Sequence, residues 1–249
     1  EKAGIIKKNI PVISSHQDKE VMKILSHRAK TVNTKIIISQ KPEKITIDCF
    51  STRFNLNDKI FSIPLLGKHQ ADNAALAIQA VRIFKPKLNY NIISDGLVNT
   101  IWPGRLQPLD KKLPIFYDVA HNQAGIKSIR NTLKYLNAQK AVGLIILKED
   151  KDIDNIAHSL NGLFNELIVS TIPDSQLMGI NKLFSLLNHN NIKCKTVNPI
   201  EKAFKYMSNQ AERGATSIIF GSHYAAKSIY KFFFLKDIFF LFQYLNYFC

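Results

Sequence analysis

Beyond Trp102 the chain alternates short apolar segments with segments of helical spacing, and this alternation limits the folds it can adopt. The apolar segments predict β-strands at 113–119, 141–147, 167–170, 194–197 and 217–221. The segments between and after them predict helices at 125–135, 152–163, 178–187, 201–210 and 225–233. Strands that alternate with helices form a mostly parallel, doubly wound sheet, so the predicted fold class is α/β. Such sheets bind ligands at the carboxyl ends of their strands, where Asp118 and Ser222-His223 fall.

The first hundred residues mix helices and strands. Strands are predicted at 11–14 and 35–39, and alternating residues at 45–50 and 59–64 predict a hairpin around 55–58. Helical spacing predicts helices at 18–29, 72–84 and 90–99. Trp102-Pro-Gly is the predicted domain boundary, because Pro and Gly interrupt regular structure. The predicted division is 1–101, 104–233 and a hydrophobic tail at 234–249.

The aromatic tail is too short to span a membrane. A membrane helix needs roughly 20 apolar residues, whereas Lys236 and Asp237 interrupt this segment. We interpret it as a helix packed on the body, and an interfacial membrane helix is the alternative. Three scattered cysteines and the absence of a signal-peptide pattern predict a cytoplasmic protein without a membrane partner.

The formal net charge of +15 suggests nucleic-acid binding, but the distribution of the charge argues against it. Of the 34 basic residues, 28 are Lys and 6 are Arg, and the lysines are spread along the whole chain. Nucleic-acid-binding proteins concentrate these residues on one face, often beside aromatic residues. We therefore predict no nucleic-acid partner, and expect the positive field to attract small anions such as nucleotides or polycarboxylates.

Several enzyme classes lack their motifs in this sequence. No G-x-S-x-G segment marks a nucleophilic serine, and no G-x-G-x-x-G follows a predicted strand. A G-x-x-x-x-G-K-[ST] phosphate loop is also missing. A triad hydrolase and a dinucleotide-dependent enzyme are thus both disfavoured.

Six short motifs occur in a characteristic order. They are Glu1-Lys-Ala-Gly-Ile-Ile-Lys7, Gly67-x-His-Gln-x-x-Asn73-Ala, Trp102-Pro-Gly-Arg105-Leu, Asp118-x-Ala-His121-Asn122, Asp150-Lys-Asp152 and Gly221-Ser222. Together they resemble the folylpolyglutamate synthase and dihydrofolate synthase family, relatives of the ligases that build bacterial cell-wall peptides. The resemblance extends from residue 1 to about residue 231. It implies that 1–101 is the C-terminal part of a P-loop-type central ATPase domain. Residues 104–233 would then be a smaller Rossmann-like ligase domain.

The resemblance implies an ATP-dependent amide ligase that acts with Mg²⁺. Such enzymes transfer the γ-phosphate of ATP to a carboxylate, and the amino group of L-glutamate then displaces phosphate from the acyl phosphate. The expected substrates are folate, L-glutamate and ATP, with dihydropteroate left open. The chemistry requires positioned phosphates and positive charge. The complete enzyme is expected to be a monomer.

The resemblance also implies roles for particular residues. Asn73 would contact adenine, Arg105 would bind phosphate and stabilise the moving phosphoryl group, and Asp118 would bind the ribose. His121 would orient its loop or meet a phosphate. Local roles compete with these assignments, since Asn73 or His121 could simply serve a helix start and Arg105 could be a solvated linker residue.

Lys2 is the implied metal ligand. In the family, the lysine of this motif is carbamylated, which converts a cation into an oxygen ligand of the kind that Mg²⁺ prefers. Carbamylation requires a partly neutral amine, and hence a buried or metal-adjacent lysine. An exposed lysine at a chain end is the alternative interpretation.

The chain departs from the family pattern at two places. Gln123 replaces a usual proline, and Pro173-Asp-Ser175 replaces a usual Arg-Ala or Arg-Ser pair. Because the phosphate loop is also missing, we expect it before residue 1 and predict no measurable ligase activity for residues 1–249 alone. The alternatives are an inactive, decayed or partner-dependent fragment and, less favoured, a basic nucleic-acid-binding protein.

Overall fold

The computed structural model describes residues 2–173 and 176–234. The chain divides into two compact units. Unit 1 comprises the chain up to Thr46 together with Ser51–Pro64 and Lys68–Thr100, and unit 2 comprises Ile47–Phe50, Leu65–Gly67 and the chain from Ile101 onward. Across the described ranges, every helix is too short or too polar to cross a bilayer.

Unit 2 is built on one six-stranded sheet. Its strands are β6 (Gln107–Pro108), β7 (Ile115–Asp118), β8 (Ala141–Ile145), β9 (Glu166–Val169), β10 (Lys195–Thr196) and β11 (Thr216–Phe220). They lie in the order β10-β9-β8-β11-β7-β6, and all neighbours pair parallel except β6, which is antiparallel to β7. The predicted α/β class with a mostly parallel, doubly wound sheet is therefore confirmed.

Helices cover both faces of this sheet. They are α4 (Gln123–Tyr135), α5 (Ile153–Leu160), α6 (Ile180–His189), α7 (Ile200–Glu212) and α8 (Ala226–Phe234). The apolar residues of α4, α5 and α6 join one buried cluster, and those of α7 and α8 join the other. β7, β8 and β11 are buried at every position, which explains their continuous apolar sequences.

The chain reverses its winding direction between β7 and β11. The helix that follows β7 is α4 on one face, whereas the helix that follows β11 is α8 on the other. Asp118 and Phe220 are register partners at the carboxyl ends of these adjacent strands. The loops after β7 and β11 therefore lead to opposite faces of the sheet. The region between them, called the crevice below, is a topological switch point of the kind at which α/β sheets bind ligands.

Unit 1 contains two small sheets. β1 (Val12–Ser14) pairs parallel with β2 (Ile36–Ile38), and β3 (Glu43–Ile47), β4 (Thr52–Leu56) and β5 (Lys59–Ile63) form a second sheet with β4 in its centre. Three helices accompany them: α1 (Lys19–Thr31), α2 (Lys68–Phe84) and α3 (Tyr90–Val98). A single 3-10 turn, Lys2–Ile5, precedes β1.

The structure corrects two local predictions and adds one strand that was not predicted. The hairpin partner of β5 is β4, not the segment 45–50, because Asn57 and Asp58 both adopt positive φ and close a two-residue turn. β6 was not predicted, since two residues carry no periodic signal. α2 begins at Lys68 rather than at residue 72. Of the predicted tail, Phe234 ends α8 and 235–249 lies outside the described residues.

Gly221 directly follows β11, and its backbone conformation leaves no room for a side chain. Its φ is +119°, and a Cβ atom there would lie 2.2 Å from the carbonyl oxygen of Ile146. Gly221→Ala should lower the free energy of unfolding by about 3 kcal/mol or more, through backbone strain and this overlap. Urea denaturation measures the loss.

The matched control is Gly214→Ala, where φ is +84° but nothing lies within 4 Å of the added Cβ. It should cost only about 1 kcal/mol, since strain alone remains. Equal losses in the two variants would show that the overlap at Gly221 is relieved by movement of the neighbouring strand.

Candidate functional site

Arg105 is presented by a tightly held turn at the rim of the crevice. The residues before and after it, Gly104 and Leu106, have φ values of +69° and +43°. The Gly104 carbonyl accepts a hydrogen bond from Val119 N at 2.9 Å, and a Cβ on Gly104 would lie 2.6 Å from Val119 Cγ1. The backbone around Arg105 is thus held in place, while its side chain is exposed to solvent.

Asp118, the last residue of β7, holds the other end of this turn. Its Oδ2 accepts from Leu106 N at 2.9 Å, and its Oδ1 accepts from Ala120 N at 2.7 Å. Its backbone carbonyl also accepts from Gly221 N at 3.2 Å. One residue therefore connects the Arg105 turn, the loop after β7 and the end of β11.

Burial makes the carboxyl group of Asp118 a weaker acid than usual. Asp118 is only 8% exposed. Burial raises its pKa to about 6, although the two backbone N–H groups and the charge of Arg105 act in the opposite direction. The carboxylate retains lone pairs beyond the two it uses, so a further donor such as a ribose hydroxyl is chemically compatible.

The loop after β7 leads directly into α4. His121 Nδ1 lies 2.8 Å from the Val119 carbonyl oxygen. The helix cap is Asn122, whose side chain accepts from Gly125 N, so a capping role for His121 is wrong. Gln123 occupies the first helical position, where proline is well tolerated because no N–H is needed. Its replacement of a proline therefore leaves the helix start intact.

A second basic group follows β8. Lys148 and Lys151 flank Asp150, with Nζ–Oδ separations of 3.8 and 3.5 Å. Asp152 is the N-cap of α5 and accepts from Asn155 N, so its role is local. The loop is anchored to the neighbouring segment through a bridge between Lys148 and Leu177. Lys148 and Lys151 thus contact one carboxylate, while Glu149 of the same loop is paired with Lys182.

The loop after β11 contributes the third part of the crevice. Ser222 is buried, and its hydroxyl caps a 3-10 turn by accepting from Tyr224 N at 3.2 Å. The rings of His223 and Tyr224 lie 4.3 Å apart, and Lys148 Nζ lies 5.4 Å from the Tyr224 ring centroid. Burial lowers the pKa of His223, and the charges of Lys148, His121 and Lys151 lower it further.

Two of the predicted site residues, Asn73 and Lys2, belong to unit 1. Asn73 is exposed in the second turn of α2, and its Nδ2 donates to Gln70 Oε1 at 3.2 Å, so the predicted place at the helix start is wrong. His69 and Gln70 of the same motif also lie in α2.

Lys2 does not have the surroundings that carbamylation requires. It is exposed in its 3-10 turn. Nowhere in 2–173 or 176–234 do three or more His, Cys, Asp or Glu side chains come together as a metal site. The donor set present does not fit a Mg²⁺ site, and no step is assigned to the metal below.

Unit 2 thus brings together Arg105, Asp118, His121 and the residues Ser222-His223. The predicted Asp150-Lys-Asp152 motif contributes Lys151. Lys148 was missed by sequence reasoning. Its place directly after the apolar segment 141–147 could have identified it, because the ends of parallel strands line such sites.

Relatives of the chain carry consistent names. The chain is 30% identical to the dihydrofolate synthase/folylpolyglutamate synthase of Bacillus subtilis over 184 residues, which is 65% of this chain and 42% of that protein. It is 26% identical to the enzyme of the same name from Buchnera aphidicola over 228 residues, or 89% of this chain and 53% of that protein. The chain spans about half the length of the curated relatives it matches. No protein-family model matches the chain.

Solved structures agree on the fold. A Mycobacterium tuberculosis folylpolyglutamate synthase complexed with ADP and AMPPCP has a TM-score of 0.77 at 21% identity, over 92% of this chain and 57% of that one. The folylpolyglutamate synthase of Thermotoga maritima also has a TM-score of 0.77 at 21% identity, over 93% of this chain and 56% of that one. At this identity the likeness establishes the fold alone.

The raised pKa of Asp118 predicts a pH dependence of stability. The folded carboxyl group binds a proton more tightly than the unfolded one, whose pKa is near 3.8. The contribution of this proton binding to the free energy of unfolding is complete below pH 3.8. It is lost as the pH rises through about 6. The loss amounts to about 3 kcal/mol, since each pKa unit corresponds to about 1.4 kcal/mol.

Urea denaturation between pH 4 and 7.5 tests this dependence, and Asp118→Asn should remove it. The control Asp110→Asn also removes a carboxylate that accepts two backbone N–H groups, but a less buried one, and should preserve the dependence. An unchanged slope in Asp118→Asn would contradict the assignment.

The lysines near His223 predict how its pKa should change when they are replaced. Lys148→Gln should raise the pKa of His223, because it removes the largest charge contribution while burial stays the same. Lys151→Gln should act in the same direction and less strongly. Proton NMR titration of the His223 ring measures both, and a larger effect of Lys151→Gln would contradict the arrangement of the lysines.

Proposed function

Since the chain fits the folylpolyglutamate and dihydrofolate synthase family, as its C-terminal portion, we propose that it supplies nucleotide- and glutamate-binding residues of an ATP-dependent amide ligase. The reaction is the addition of L-glutamate to folate through an acyl phosphate, with dihydropteroate as a possible second acceptor. ATP is the proposed cofactor. Folate, L-glutamate and the nucleotide are the proposed partners.

One observation carries this proposal. The Arg105 turn, the end of β7 and the loop after β11 meet at the switch point of the unit 2 sheet, and Lys148 and Lys151 line the adjacent rim. Each reactant of the proposed reaction is anionic, and a crevice lined by cations concentrates anions. A hydrolase or dinucleotide enzyme would instead require motifs that the sequence lacks.

Arg105 is the proposed phosphate ligand. Its guanidinium is exposed and always charged, and its planar donors match phosphate oxygens. Charge grows on the γ-phosphoryl oxygens as the group moves, so a guanidinium held there stabilises the transition state more than the ground state. The rigid turn supports this role, because a preformed backbone reduces the ordering needed on binding.

Asp118 and His121 are proposed to complete the nucleotide site of unit 2. The buried carboxylate positions the Arg105 turn and keeps spare acceptor capacity for the ribose hydroxyls. His121 lies on the same loop with Nδ1 against a backbone carbonyl, so its Nε2 would donate to a phosphate oxygen in the protonated form of the ring. Asn73 remains a predicted adenine contact. No Mg²⁺ is assigned to Lys2, which is exposed and has no cluster of metal-binding side chains beside it within the described ranges.

The basic rim is proposed to hold the carboxylates of L-glutamate. Lys148 and Lys151 both contact the carboxylate of Asp150, and Glu149 of the same loop is paired with Lys182, so the two lysines are the cations proposed to meet the ligand. His223 lies in the same field, and its lowered pKa favours the neutral imidazole near pH 7. A bound carboxylate would raise that pKa, so glutamate binding should be accompanied by proton uptake.

The test uses residues 1–249 and the natural fluorescence of Trp102, the one tryptophan of the sequence. Trp102 is 60% exposed and lies three positions before Arg105. We expect ADP to change its emission in a saturable way. Arg105→Ala should weaken ADP binding about tenfold or more, because a charge-assisted contact is lost.

Arg213→Ala is the control, since it removes the same charge from an exposed position at the end of α7. ADP affinity should be unchanged in that variant. Equal weakening in both variants, or no saturable ADP response in the parent chain, would overturn the nucleotide-site assignment. In a parallel assay of labelled glutamate incorporation into tetrahydrofolate, residues 1–249 alone should give no product.

A further inference from the structure

A buried polar network lies behind the Arg105 turn. Its centre is Gln107 in β6, which is only 7% exposed. Gln107 Oε1 accepts two hydrogen bonds, from Gly104 N at 3.0 Å and from the hydroxyl of Tyr230 at 2.8 Å. Tyr230 belongs to α8, so a helix 123 positions further along the chain is bonded to the residue before Arg105 through one side chain.

A second tyrosine extends the network to the opposite loop. Tyr117 is the register partner of Gln107, and its hydroxyl donates to the Ser222 carbonyl at 2.8 Å. The rings of Tyr117 and Tyr230 meet edge to face, with centroids 6.1 Å apart and an interplanar angle of 85°. The two loops that border the crevice are therefore connected through the interior as well as through Asp118.

The hydrogen bonds of the Gln107 amide indicate the structural role of this residue. Its Nε2 is buried and has no hydrogen-bond partner among the described residues. An unpaired buried donor is destabilising, and an apolar side chain of similar size would avoid it. The feature that an apolar residue could not supply is the oxygen, which receives both the Gly104 N–H and the Tyr230 O–H.

We propose that Gln107 and Tyr230 are positioning residues that hold Arg105 at the crevice through the Gly104 amide. Asp118 fixes the turn after Arg105, and Gln107 fixes it before. Removing either anchor frees the guanidinium to sample orientations that cannot reach a phosphate. The effect on nucleotide affinity rests on the proposed function, whereas the effect on the mobility of the turn does not.

Tyr230→Phe is the most conservative test, because it removes one hydroxyl and keeps the ring contact with Tyr117. The first readout is time-resolved fluorescence anisotropy of Trp102, which lies two residues before Gly104. We expect the amplitude of fast depolarisation to increase about twofold. Gln107→Met, which removes the acceptor itself, should increase it at least as much.

The control is Tyr206→Phe. It also removes a hydroxyl that donates to a side chain, in this case Glu166 at 2.7 Å. Glu166 begins β9, which lies three strands away from β7 in the sheet. The anisotropy of Trp102 should not change. Unchanged anisotropy in Tyr230→Phe, or an equal change in Tyr206→Phe, would overturn the proposal.

The second readout separates positioning from general structural damage. ADP affinity should fall about fivefold in Tyr230→Phe, the effect expected for one neutral hydrogen bond. In an Arg105→Ala background the same substitution should have no further effect, because the group it positions is gone. Additive losses would overturn the proposal. Absence of ADP binding in the parent chain would overturn the proposed function, and the anisotropy would still decide the role of Tyr230.

Discussion

The geometry of the crevice depends on one buried carboxylate, that of Asp118. It accepts hydrogen bonds from Leu106 N and Ala120 N, and its backbone carbonyl accepts from Gly221 N. Buried backbone N–H groups must be paired, and these loop residues lack neighbours in a regular ladder that could do so. The cost of burying the carboxylate appears as a pKa of about 6. The site thus gains a fixed shape at the expense of stability near neutral pH.

The topology of the sheet determines which charges meet around that carboxylate. β7, β8 and β11 are adjacent and parallel. The residues that follow them therefore lie together at the end of the sheet formed by the carboxyl ends of its strands. Lys148 and Lys151 follow β8, and His223 follows β11. Burial lowers the pKa of His223, and repulsion from these lysines lowers it further. The cationic side chains of Lys148 and Lys151 would interact favourably with a bound anion, which agrees with the proposed ligase chemistry.

Much of the unit 2 fold was predictable because its signals are local. Buried parallel strands such as β8 are continuous apolar segments, and helices such as α4 repeat their apolar residues at helical spacing. The wrong predictions concern features without a local signal. The pairing of β4 with β5 depends on positive φ at Asn57 and Asp58, and β6 has two residues that are defined only by their partner in β7. The start of α2 was placed late because Lys68 and His69 lack an apolar pattern.

By itself the sequence determined the α/β class and the family resemblance, because these depend on periodicity and on motifs a few residues long. The tertiary structure decided that β11 lies between β7 and β8, and so brought Ser222 beside Asp118. It also decided that Gln107 bonds to Tyr230 across 123 positions. No local pattern encodes such contacts, since they form only when non-local strands and helices pack into one core.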